Sequence, residues 1–252
     1  MEFENKVVLL TGASSGIGKS ATLAFAAQGA NVIAVDINAS KGEEVIKEIM
    51  DSGGKATFIK TNVGDWEAMR ALHEKVITDF GSIDIAVNNA GIGNIPTPMI
   101  NTSNEDWDEV MTINANSVFY GMKLQVSQML KQGGGVIVNT ASVAGIRGLP
   151  RSIAYAASKH AVVGMTKTAA MEYAKKNIRI NAICPAFTVT ALFTPEMMDG
   201  LKEGLSEKLK KTIPMQRFGN VQEIADAILW LCSEKSSFVN GLALPVDGGM
   251  TA

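Results

Sequence analysis

The sequence predicts a single doubly wound α/β domain: a parallel sheet of about seven strands with helices on both faces. Three observations carry that expectation. Short β-branched runs alternate with longer helical stretches along all 252 residues. The strand-like runs, such as residues 7–10, are apolar without alternation, as a strand covered on both faces must be. No low-complexity linker, composition break or short repeat interrupts the pattern, so residues 1–252 read as one domain.

The elements follow in order. KVVLLT leads into the helical IGKSATLAFAAQGA, NVIAVD into KGEEVIKEIMDSG, and KATFIKT into DWEAMRALHEKVITDFG. DIAVNNAG comes next, then one helical stretch over about residues 103–131, then GVIVNTAS. A helix carrying AYAASKHAV, the run IRINAIC, another helical region and the short LALPVD complete the chain. Gly29, Gly53 and Gly81 follow helices, and Ser103 with Asp106 forms an expected capping box. Strands alternating with helices require right-handed crossovers between parallel neighbours.

Composition excludes several functions. A formal net charge of −2 gives no electrostatic reason to expect nucleic acid. The densest basic spot, KLKK at residues 208–211, is balanced by Glu203 and Glu207 and reads as a solvated helix face. Cys184 and Cys232 lie in apolar runs and read as buried thiols of a reducing compartment, not a disulfide. His73 and His160 are too few and too isolated for a zinc site, so no metal is expected. The polar start MEFENK lacks the pattern of a signal peptide, and no segment approaches a membrane span. A cytoplasmic location is the expectation.

Ligands of such sheets bind beyond the carboxyl ends of the strands. The first strand runs there into TGASSGIG, residues 11–18. Gly12, Gly16 and Gly18 leave room for close backbone approach, while Ser14, Ser15 and Ile17 complete a turn that opens a helix. Free N–H groups at that helix start suit a pyrophosphate. Asp36 closes the second strand, eighteen residues beyond Gly18, with Ile37 and Asn38 after it. A carboxylate there accepts from ribose hydroxyls and repels a 2′-phosphate, which favours NAD over NADP. Asp36 is equally placed to cap the next helix.

Tyr155 and Lys159 stand four apart in AYAASKHAV and so share a helix face. Oxidising an alcohol needs a base for the hydroxyl proton, and reducing a ketone needs the same group as an acid. A free tyrosine, with a pKa of about 10, stays protonated near neutral pH and is an inefficient base, whereas a neighbouring ammonium, with the positive ring of an oxidised nicotinamide, favours its phenolate. Ser142, thirteen residues before Tyr155, ends a strand where a hydroxyl can hydrogen-bond a substrate oxygen.

TGASSGIG, NNAG at residues 88–91, Ser142 and the Tyr155/Lys159 pair, read in order, resemble the short-chain dehydrogenase/reductase family over about residues 6–249. The resemblance implies a Rossmann fold and a hydride-transfer enzyme. It implies Tyr155 as general acid/base, Lys159 as its electrostatic partner and holder of the nicotinamide ribose, and Ser142 on the substrate oxygen. Asn114 would support a water that links the lysine to solvent. Asn89, Ala90 and Gly91 would pass the adenosine ribose, and Asn62 and Val63 would touch adenine, although that pair more often begins with aspartate.

Pro185 precedes Ala186 where the family usually has Pro-Gly. Ala186 either carries the cost of a positive φ or narrows the nicotinamide pocket. Thr188 and Thr190 match positions that contact the carboxamide. Residues 191–215 correspond to a substrate lid, where Met197 and Met198 either line an apolar pocket or pack the lid. Ile92, Ile95, Pro96 and Met99 would form one pocket wall, Ile146 and Leu149 another. Small residues of the Tyr155 helix, among them Ala157, Ala161 and Gly164, suit the helix-pair interface of a homotetramer that the resemblance implies.

The leading expectation is an NAD-dependent dehydrogenase or reductase of a small or medium apolar alcohol or ketone. A 3-oxoacyl-(acyl carrier protein) reductase is the second enzyme reading. A catalytically inactive dinucleotide sensor is the third, and the presence of both Tyr155 and Lys159 counts against it.

Overall fold

Strand propensity and two-sided burial select the same segments. All five residues of β1 (Val7–Thr11) are buried, as are the middle four of β2 (Asn31–Asp36) and all of β4 (Ile85–Asn88). The computed structural model describes residues 1–190 and 193–252, with the backbone alone at residue 201. Its other strands are β3 (Lys55–Lys60), β5 (Gly135–Thr140), β6 (Ile178–Pro185) and β7 (Ala243–Val246). The described residues form one seven-stranded parallel sheet in the order β3-β2-β1-β4-β5-β6-β7. Val8 pairs with Val32 on one side and Ile85 on the other, so the strand order reverses at β1/β4 and a crevice opens there.

Alternate residues of each strand feed two cores. Val7, Leu9, Ile33 and Val35 pack with α3 (Trp66–Phe80), α5 (Ser117–Gln132) and α6 (Ile153–Tyr173), through Met69, Leu72, Met129 and Val162. Val8, Leu10, Val32 and Ala34 pack on the other face with α1 (Gly16–Ala27), α2 (Ala39–Asp51) and α9 (Val221–Cys232), through Phe25, Ile49, Ile224 and Ile228. Truncating Leu9 or Leu10, each no more than 1% exposed, costs about 2–5 kcal/mol. Both cores need the same uninterrupted apolar strand, which is why the strands show no alternation.

One local difference from the sequence reading has a plain physical cause. The stretch over residues 103–131 is not one α-helix: α4 (Asn104–Met111) passes through a π-helical turn, Thr112–Asn116, before α5 begins. A single widened turn gives no break in hydrophobic periodicity, so sequence cannot show it. Ser103 does accept from the Asp106 N–H at 3.0 Å. The full reciprocal box stands at Asn220 and Glu223, at the start of α9. Beyond β6 the region expected to form a lid contains α7 (Pro195–Leu201) and α8 (Leu205–Lys210). Ala191 and Leu192, the first residues of the expected lid, lie outside the described residues.

The segment carrying α7 and α8 is anchored at both ends. The Val189 N–H donates to the Gly219 carbonyl at 2.9 Å and the Gly219 N–H to that of Phe187 at 3.0 Å. Phe187, Phe193 and Phe218 cluster there with ring centroids 5.3–6.3 Å apart. At the other end the Met215 N–H donates to the Gly248 carbonyl.

Candidate active site

The glycine-rich turn joins β1 to α1 at the crevice, and its glycines are needed for clearance. A Cβ on Gly18 would stand 1.9 Å from the Gly12 carbonyl oxygen and 2.7 Å from Asn89 Nδ2. Gly12, at φ +68°, would meet Ala90 Cα at 2.8 Å, and Gly16 adopts φ +51°. Ser15 takes the N-cap position of α1 in extended conformation without a side-chain cap bond. The helix start therefore presents its N–H groups to the crevice, with Ser14, Ile17 and Gly18 around it.

Neighbouring strands brace this turn. The Asn89 side chain donates to the carbonyls of Thr11, at 3.1 Å, and Gly12, at 3.3 Å. Thr11 Oγ1 accepts from the N–H groups of Asn89 and Ala90. Thr11 was not singled out in sequence, because a threonine closing a strand carries no signal of its own. Asp36 Oδ2 accepts from the Ser14 N–H and Oδ1 from the Asn38 N–H, both at 3.0 Å. Asn38, not Asp36, caps α2, by accepting from the Lys41 N–H. Ile37 beside Asp36 is 62% exposed, an apolar surface at the crevice edge. Asn62 Oδ1 accepts from the Gly64 N–H at 3.0 Å, so the acceptor expected to face adenine closes its own turn, while Val63 is buried.

The second cluster lies on α6 and the ends of β5 and β6. Lys159 is 3% exposed, donates from Nζ to the Thr140 carbonyl at 2.9 Å, and lies 5.7 Å from the Tyr155 ring centroid. Burial pulls its ammonium down to about 8. Burial pushes the Tyr155 phenol above the usual tyrosine range, with the neighbouring Ser142 side chain pulling the other way. Desolvation of the phenolate outweighs its hydrogen-bond stabilisation in this environment. Ser142 Oγ also accepts from the Ala144 N–H at 3.1 Å.

Asn114 sits fully buried in the π turn, a place where such turns often mark function. Its side chain clamps the residue-92 backbone: Oδ1 accepts from the Ile92 N–H at 2.8 Å and Nδ2 donates to the Ile92 carbonyl at 2.9 Å. A Cβ on Gly91 would stand 3.1 Å from Asn114 Oδ1 and 3.5 Å from Lys159 Nζ, so Gly91 lies between the two. His160 turns to its own helix, its Nδ1 2.9 Å from the Ala156 carbonyl.

After β6, Pro185 is buried and Ala186 is absent from the positive-φ residues, so its methyl carries no left-handed strain. Thr188 Oγ1 donates to the Ala186 carbonyl at 3.0 Å. A Cβ on Gly16 would come within 3.3 Å of Thr190 Cγ2, which brings this loop over the glycine turn.

Met99, Gly148, Leu149, Pro150, Arg151, Ile153 and Ala156 line a cavity of about 400 Å³ at the start of α6. Arg151, not placed by sequence, joins its two walls: its carbonyl accepts from the Thr97 N–H at 2.7 Å and its Nη2 donates to the Pro96 carbonyl at 3.4 Å. A cavity of about 880 Å³ opens at the opposite, amino end of the strands, by Asp84, Gly135 and Ile178. No group of three or more His, Cys, Asp or Glu suited to a metal occurs among the described residues. No helix there is long and apolar enough to cross a membrane.

A cradle cleared by Gly12, Gly16 and Gly18, an open helix start and a buried lysine fit a dinucleotide. The fold and this site define an oxidoreductase of the nicotinamide-dependent α/β class. A family model described as enoyl-(acyl carrier protein) reductase matches residues 12–251. The chain is 44% identical over 250 residues to the 3-oxoacyl-[acyl-carrier-protein] reductase FabG of Thermotoga maritima, covering 99% of both chains. It is 42% identical over 251 residues to the cyclohexanol dehydrogenase of an Acinetobacter species, covering 100% of this chain and 97% of that one. The structure of an NAD⁺-bound xylitol dehydrogenase superposes with a TM-score of 0.94 at 33% identity, covering 99% of this chain and all of that one. The chain belongs to the short-chain dehydrogenase/reductase family and acts on CH–OH groups with a nicotinamide dinucleotide.

Proposed function

We propose that the protein is an NAD-dependent dehydrogenase of small or medium apolar secondary alcohols, working in reverse as a ketone reductase. The observation that carries this reading is Lys159, buried one helical turn from Tyr155 with its Nζ 5.7 Å from the tyrosine ring centroid. When bound, the nicotinamide ring supplies or accepts the hydride. Ser142 Oγ and Tyr155 Oη hold the substrate oxygen, and Tyr155 Oη takes its proton in oxidation or returns it in reduction. The Lys159 ammonium offsets the phenolate's desolvation cost and holds ribose hydroxyls. Asn114 fixes the residue-92 backbone beside the lysine and supports a water leading to solvent.

The glycine turn with Ser14, Ser15 and Ile17 takes the pyrophosphate. Asn62, Val63, Asn89, Ala90 and Gly91 border the adenosine half, and Pro185, Thr188 and Thr190 border the nicotinamide. Asp36 keeps acceptor capacity for ribose hydroxyls beyond its two backbone bonds and repels a 2′-phosphate, which supports NAD over NADP. The walls at Met99 and Leu149, with residues 191–215 as lid, favour an apolar substrate. The named substrate of the cyclohexanol dehydrogenase relative supports a cyclic one. Tyr155→Phe should lower turnover of cyclohexanol with NAD by about a thousandfold while NADH affinity stays within about twofold; comparable turnover in that variant overturns the mechanism.

A 3-oxoacyl-(acyl carrier protein) reductase is the second reading, favoured by the 44% identity to the Thermotoga maritima enzyme. Higher kcat/KM on an acetoacetyl thioester with NADPH than on cyclohexanone with NADH would select it. The protein works in the cytoplasm as a homotetramer; the exposed His160, Gly164 and Met171 on the outer face of α6 support a helix-pair contact.

A further inference from the structure

We propose that Thr140, the last residue of β5, is a positioning residue that ties the cofactor turn and the active-site lysine into one frame; this rests on the dinucleotide reading above. Thr140 is 8% exposed and touches both clusters through different atoms. Its carbonyl accepts from Lys159 Nζ at 2.9 Å, and its hydroxyl donates to Asn89 Oδ1 at 3.2 Å. The Asn89 amide nitrogen in turn donates to the carbonyls of Thr11 and Gly12, inside the space that Gly12 and Gly18 leave clear.

The chemistry of the amide makes this hydroxyl informative. A carboxamide has a donor end and an acceptor end, and two carbonyls on Nδ2 fix which end faces the turn. That orientation leaves Oδ1 pointing at β5, where it needs a donor; Thr140 Oγ1 is that donor. With valine at this position, Oδ1 loses a partner in a half-buried setting, and the amide is held on the turn by its two carbonyl bonds alone. The turn then loosens where the pyrophosphate binds. The lysine contact uses the backbone, so it survives a change of side chain.

Thr140 itself stands on a rigid base. The next residue back, Asn139, is fully buried and donates to Thr166 Oγ1 on α6 at 2.9 Å, and accepts from Asn88 Nδ2 at 2.9 Å. Asn88 also exchanges bonds with Gln125 of α5, at 3.0 and 2.8 Å. These bonds fix the strand ends of β4 and β5, so Asn89 and Thr140 meet in one register.

The test is NADH binding by fluorescence titration of the full chain, with steady-state kinetics beside it. Thr140→Val should raise the NADH Kd roughly tenfold, the scale of one half-buried acceptor left unpaired. The KM for the dinucleotide should rise with it, while kcat at saturation and the basic limb of the pH profile stay near those of the wild type, because the carbonyl still holds Lys159. Thr140→Ser should recover affinity to within about twofold, since it restores the donor. If Thr140→Val does not fold, Thr140→Ala is compared with Thr140→Ser and the same gap is required. Equal NADH affinity in the hydroxyl-bearing and hydroxyl-free variants overturns the proposal alone; a wild type without NADH affinity overturns the dinucleotide reading and this proposal together.

Discussion

The glycine turn after β1 and the Tyr155 face of α6 both serve the carboxyl end of the sheet, yet they are built from opposite materials. The turn works through what is missing: no Cβ at Gly12 or Gly18, no side-chain cap on α1 at Ser15. The α6 face works through what is buried: a phenol pushed up and an ammonium pulled down by the same loss of water. Clearance admits no substitute, since any side chain brings a Cβ, whereas a shifted pKa depends on surroundings that can be retuned. Under the proposed roles, the difference is that dinucleotide recognition rests on backbone shape, and proton transfer on desolvation balanced by placed partners.

Gly18→Ala gives the strongest blow to that contrast. Its methyl meets a backbone carbonyl at 1.9 Å, so NADH affinity should fall by about a hundredfold, the scale of 2–3 kcal/mol of overpacking strain. An alanine variant that binds NADH normally would show that the turn has slack. Asp36→Ala probes the carboxylate that closes β2 beside the glycine turn. The ratio of kcat/KM for NADPH over NADH should rise about tenfold; an unchanged ratio places selectivity elsewhere.

Lys159→Met sharpens the other half. The folded lysine titrates near 8 against a reference of 10.5, so the unfolded chain binds the extra proton between those values. Wild-type stability therefore rises with pH across that window and carries its full penalty below about 8. Removing the charge relieves up to about 3 kcal/mol at pH 7 and forfeits the Thr140 hydrogen bond, for a net gain of about 1 kcal/mol. Urea unfolding at pH 7 and pH 10.5 checks this: the gain should shrink toward zero or reverse at the higher value. A gain independent of pH would mean that the lysine is not held charged against burial.

Much of the site was legible because its chemistry is local. TGASSGIG announces a close-approach turn whatever surrounds it, and Tyr155 and Lys159 share a face by helical geometry alone. Asn114 was legible by position, but its clamp on the Ile92 backbone was not, because the π turn that aims it leaves periodicity intact. Asn62 is expected from the resemblance to touch adenine, and only the structure shows its Oδ1 accepting from the Gly64 N–H two residues on. Arg151 and Thr140 carry no motif, since each matters through partners distant in the chain, Thr97 for Arg151 and both Asn89 and Lys159 for Thr140.

By itself, the sequence determined the alternation of doubly apolar strands and helices, the glycine turn, Asp36 at its strand end and the Tyr155/Lys159 pair, because each is set by residues near in the chain. Tertiary structure alone decided the direction in which Tyr155 and Lys159 shift, the bracing of Asn89 between the turn and Thr140, and the joining of the pocket walls through Arg151. The physical reason is range. Periodicity and turn chemistry act over a few residues, whereas desolvation and buried hydrogen bonds depend on which distant segments exclude water around a group.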